Sequence, residues 1–89
     1  MIEVSFSASF KRAFKKKIKA KPDLEIKFWK KLDLFTQEPF NSGLRTHKLS
    51  GKLKDLWSFA VEYDVRVIFY FTDSGNAVLI DIGSHDQVY

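Results

Sequence analysis

Read in strand register, the last third of this 89-residue chain sets Asp64, Arg66, Asp81 and His85 on polar positions, with Tyr89 just beyond. Carboxylates, a guanidinium and an imidazole that exchanges protons near neutrality are the side-chain types for acid–base chemistry on a negatively charged substrate. If the polar parities of the last two strands face the same way, these residues line one side of a sheet and form a site. Each also has a structural explanation. Asp64 stands at a tight strand connection, where aspartate bonds local backbone. Arg66 fits an edge-strand cation or a salt-bridge partner. His85 and His47 are the only histidines, and an isolated histidine is more often hydrogen-bonded structure than a catalyst or ligand.

Other chemistries lack their residues. The chain has no cysteine, which removes disulfides, thiolate catalysis and zinc-thiolate sites. No i, i+4 histidine pair or clustered carboxylate set gives metal-ligand spacing, and no glycine loop cradles a nucleotide. No metal and no cofactor is therefore expected.

The elements that must position these residues follow from periodicity. IEVSF alternates as a first strand, after which Ser7 or Ser9 caps a helix whose Phe10, Phe14 and Ile18 recur at i, i+4 and i+8. Pro22 opens a second helix with Asp23 and Glu25 in its first turn and a stripe of Leu24, Phe28, Leu32 and Phe35, with Trp29 beside it. The break at AKP is short, so the helices form an antiparallel hairpin. Pro39 ends the second helix, and PFNSGLRTHKLSGKLKD reads as an irregular connection. LWSFAVEY, VRVIFYF and AVLIDIG then read as three antiparallel strands. The expectation is a single α+β domain over residues 1–89, with the hairpin on one face of a four-stranded sheet. Trp57, Phe59, Val61 and Tyr63 share the buried parity, and Ser58, Ala60 and Glu62 the open one.

Charge is unevenly spread. Residues 1–54 hold 14 of the 15 basic and 5 of the 11 acidic side chains, a balance of +9, and the remainder carries −5. Such a basic half suits a polyanion or an acidic partner protein. No apolar run approaches the roughly 20 residues of a membrane span, and MIEVSF is not a charged leader. A cytoplasmic protein with no membrane partner is expected.

The ordered set of EPFN, a leucine followed by HKLSG, a strand pair carrying YDVRVIFY, and GSH near the end resembles the RelE/ParE superfamily of bacterial type II toxins. The resemblance covers essentially the whole chain and is closest to the YafQ-like branch. It implies a RelE-like fold, a small curved antiparallel sheet backed by a helical hairpin. It also implies a ribosome-dependent, metal-independent endoribonuclease that cuts messenger RNA and is neutralised by a cognate antitoxin. ParE-like members instead act on DNA gyrase, and a third option is a degenerate, non-toxic member.

Residue by residue, the YafQ pattern carries functional positions onto His47, Asp64, His85 and Tyr89, and the superfamily's strand arginine onto Arg66. A histidine of that pattern is replaced by Ala60, a tryptophan by Val65 and a basic residue by Asp81. On this basis His85 is the expected general acid, Asp64 or His47 the base, and Arg66 the stabiliser of phosphate charge. Tyr89 is expected to orient the phosphate or stack on a base. Lys15, Lys16, Arg45, Lys48, Lys52 and Lys54 are expected to grip RNA phosphates.

Overall fold

The computed structural model describes residues 1–51 and 55–85. Strand β1 (Val4–Phe6) leads directly into helix α1 (Ala8–Lys17), and Ser7 makes the junction. Ser7 is extended, with φ −69 and ψ 164, and its hydroxyl accepts the Phe10 N–H at 3.0 Å, pairing a donor that the helix start leaves unsatisfied. The same hydroxyl lies 2.9 Å from that of Ser9, which donates to the Ile80 carbonyl at 2.7 Å. Helix start and sheet are thus tied together. Ser7→Ala should lower stability by about 1 kcal/mol in urea unfolding, whereas a change below a few tenths would show the cap to be dispensable.

Helix α2 (Pro22–Gln37) starts on a proline and carries Asp23 and Glu25 in its first turn, where the helix dipole favours anions. It buries Phe28, Leu32 and Phe35. Trp29 lies at the margin of that stripe, 46% exposed, and its indole N–H donates to Glu25 at 3.1 Å. Phe14 and Phe28 meet edge-on at 5.0 Å across the hairpin, and Phe6, Phe10 and Trp29 complete this aromatic group. A second group joins α2 to the sheet: Phe35 stacks on Phe59 at 4.6 Å and meets Phe69 edge-on at 4.9 Å.

The sheet has five strands rather than the expected four, in the order β1-β5-β4-β3-β2, with β2 His47–Lys48, β3 Trp57–Glu62, β4 Val65–Phe71 and β5 Ala77–Ser84. The extra strand lies inside the segment read as irregular. His47 and Lys48 pair with Ser58 and Trp57, and Leu49 N–H bonds the Leu56 carbonyl at 2.8 Å. Two residues are too few to display a strand's alternation, so no pattern announces it. Strands β3, β4 and β5 are antiparallel as expected, whereas β1 runs parallel to β5. The α+β class and RelE-like plan hold.

The face away from the helices is less open than its parity implies. Ser58, Ala60, Arg66 and Ile68 are buried there. Ser58 stands between His47 and Ile68, and Ala60 faces Arg66, so two small side chains are sheltered by longer cross-strand neighbours.

Candidate functional site

The β3–β4 hairpin builds the site. Ala60 pairs with Arg66 and Glu62 with Val65, which leaves Val61 as an extra residue on β3, a bulge next to the turn. Strand β3 ends at Glu62, and Tyr63 and Asp64 form the loop. Tyr63 therefore escapes the alternation that assigned it to the core and is 82% exposed. Two backbone contacts hold this loop. The Arg66 Nε–H donates to the Tyr63 carbonyl at 3.2 Å, and the His85 N–H donates to the Asp64 carbonyl at 3.2 Å.

These contacts bring Tyr63, Asp64, Arg66 and His85 together around a cleft of about 270 Å³. Arg66 is 9% exposed and forms its wall, while Asp64 and His85 stand exposed at its mouth. A guanidinium shielded from water acts more strongly on a nearby anion than an exposed one. The cleft thus combines groups that exchange protons with a fixed positive charge. A larger groove of about 320 Å³ between the helices is apolar, walled by Phe6, Phe10, Phe14, Phe28 and Trp29, with lysines at its margin.

Other expected site residues are dispersed. His47, on edge strand β2, is exposed, and its Nδ1 lies 2.8 Å from the Arg45 carbonyl. It shares the sheet face of Arg66 but lies two strands away and two residues along, about 12 Å between Cα positions from sheet spacing. It does not line the cleft. Asp81 does not join it either. Ile80 is an extra residue in β5 opposite the Ile68–Phe69 step, and the Asp81 carboxylate accepts its neighbour's Ile82 N–H at 2.8 Å and lies 4.0 Å from Lys17 at the end of α1.

The basic residues do not form one patch. Lys15 and Lys16 are exposed on α1, which packs beside β5, and Arg45 and Lys48 are exposed at the opposite edge of the sheet. Lys16 lines a groove of about 720 Å³ that shares Asp64 with the cleft. Lys52, Lys54 and Tyr89 lie outside the described residues. Among the described residues, no three histidine, aspartate or glutamate side chains gather as a metal site.

Residues 2–89 match the model of a family of bacterial toxins of type II toxin–antitoxin systems, YafQ. The chain belongs to this family. Its fold agrees with that assignment. A copper-bound mutant toxin from Helicobacter pylori is 25% identical and superposes with a TM-score of 0.76, covering 100% of both chains. The Escherichia coli DinJ–YafQ complex contains a chain that is 21% identical, with a TM-score of 0.73 over 100% of this chain and 99% of that one. A YoeB/ParE toxin from Agrobacterium tumefaciens is 15% identical, with a TM-score of 0.76 over 94% and 99%. No curated protein matches.

Against the YafQ pattern, the departures have definite surroundings. Ala60 is buried directly across from Arg66, so this toxin has a methyl group where the pattern has an imidazole. Val65 pairs with Ser84, is half-buried, and lines the groove of about 720 Å³ rather than the cleft. The signal that sequence reasoning missed was Tyr63. Its place beside Asp64 at the YD turn could have marked it as a loop residue instead of a core one.

Proposed function

We propose that this YafQ-family toxin is an endoribonuclease that cuts messenger RNA on translating ribosomes in the cytoplasm. The observation that carries this reading is the convergence of His85, Arg66 and Asp64 on one cleft. In the proposed reaction the ribose 2′-hydroxyl attacks the adjacent phosphorus, and the bond to the departing 5′-oxygen breaks to leave a cyclic phosphate. Asp64 accepts the 2′-hydroxyl proton and His85 gives a proton to the leaving oxygen. Of the two bases that the sequence allows, Asp64 is favoured because it shares the cleft with His85 and Arg66, whereas His47 does not. Arg66 balances the negative charge that grows on the phosphate.

The exposed lysines of α1 and the basic residues near β2 suit sequence-independent contacts to ribosomal RNA phosphates, whose strength falls as salt rises. The partner that silences the toxin is proposed to be a cognate antitoxin protein. The DinJ–YafQ complex supports this for a relative of the same fold, and the +9 balance of residues 1–54 suits an acidic partner.

Ala60 favours a second reading. With a methyl group facing Arg66, the cleft retains one histidine among its described residues, as a ParE-like gyrase inhibitor without nuclease activity would allow. Mapping messenger RNA 5′ ends on ribosomes after brief induction separates the two. New cuts at defined codon positions, absent with His85→Ala, are expected for the nuclease. DNA damage with intact messenger RNA would replace it with the gyrase reading.

A further inference from the structure

We infer that Tyr63 is the platform on which the substrate base beside the scissile phosphate stacks, so that it governs where the toxin cuts. The inference rests on the RNA-cleavage reading above and adds a residue that this reading does not use. Tyr63 presents a ring that is 82% exposed. None of the ring-to-ring contacts among the described residues involves it, whereas Phe40, Trp57 and Phe71 pack against one another at the opposite end of the β3–β4 hairpin. Its main chain, in contrast, is fixed. Arg66 Nε holds its carbonyl, and the Glu62–Val65 pair closes the loop beneath it. A ring with two side-chain torsions on an anchored backbone loses little freedom when a planar partner covers it.

The surroundings select the partner. The remaining walls of the cleft are Asp64, Arg66 and His85, which offer an aliphatic protein side chain no apolar pocket. A nucleotide fits both parts: its phosphate meets the Arg66 guanidinium, and its base, one sugar away, meets the aromatic face. Stacking tolerates any base but weighs them unequally, since purines cover more of the ring than pyrimidines. The residue therefore acts on position and preference and takes no part in proton transfer.

The test uses a defined messenger RNA on purified ribosomes, cleaved by the wild-type chain, Tyr63→Ala, Tyr63→Phe and His85→Ala. Tyr63→Ala is expected to raise KM about tenfold, the order of one lost base–aromatic stack, to leave kcat within about threefold, and to flatten the distribution of cut sites. Tyr63→Phe should behave as wild type, and thermal melting should be unchanged in both. An unaltered KM and cut pattern in Tyr63→Ala would overturn the inference while leaving the nuclease reading intact, as would equal impairment in Tyr63→Phe. A wild-type chain that leaves ribosome-bound messenger RNA whole would remove the nuclease reading, and this inference with it.

Discussion

Arg66→Ala should lower the cleavage rate on ribosome-bound messenger RNA by about two to three orders of magnitude, the range for deleting one preorganised donor to developing charge. The guanidinium has five N–H donors, and the Nε–H is engaged by the Tyr63 carbonyl. The planar fork of the two Nη groups is the part that matches phosphate oxygens. Arg66→Lys keeps the charge but not the fork, so it should recover only part of the loss. Because Arg66 is 9% exposed and braces the hairpin, each variant must be compared at matched folded fraction by circular dichroism. Cleavage by a folded Arg66→Ala at the wild-type rate would take the phosphate away from this residue. The corresponding growth assay should show relief of toxicity in cells.

The largest stability effect is expected at Phe35. Its ring is fully buried, stacked on Phe59 at an interplanar angle of 20° and edge-on to Phe69, so it joins α2 to β3 and to the central strand β4. Phe35→Ala removes that ring from a site that rigid neighbours prevent from collapsing, at a cost of about 3–5 kcal/mol. A chain of this length has a total stability of roughly 5–13 kcal/mol. The variant should therefore lose much of its urea midpoint, whereas Phe35→Leu should lose less. A cost under 1 kcal/mol would mean that α2 does not seat on the sheet through this contact.

Both predictions concern residues that periodicity had already singled out. Phe35 falls three residues after Leu32 on the stripe that Leu24 and Phe28 begin at i+4 spacing, and burial of such a stripe against a sheet requires no long-range information. Arg66, Asp64 and His85 were legible in type, and strand parity brought them to one side because the β4–β5 pairing keeps its register from Val65–Ser84 to Ile68–Asp81. At the ends of that register the alternation fails where a strand stops or gains a residue. Tyr63 left the core because β3 ends at Glu62, and Asp81 turned towards Lys17 beside the extra residue Ile80. A one-residue irregularity leaves no mark in a period-2 pattern, yet it decides which side chains meet. His47 illustrates a different limit. Its type and motif pointed to the site, but its distance from the cleft depends on a two-residue edge strand that only the assembled sheet defines.

The parallel pairing of β1 with β5 has a consequence for timing. Val4 sits against Ala77, and the Glu3 N–H reaches the Asn76 side chain at 2.9 Å, so the first strand waits for a partner more than seventy residues later. Closing a loop of that size must precede any reward from the contact, which makes it a late event. During synthesis the helical hairpin can form while β5 has yet to be made, but the loop that His85 clamps cannot. Until β5 is made and paired with β4, the cleft is unassembled. The order of translation thus separates the folding of the helical hairpin from the assembly of the cleft, which waits for the pairing of Val65 to Ile68 with Asp81 to Ser84.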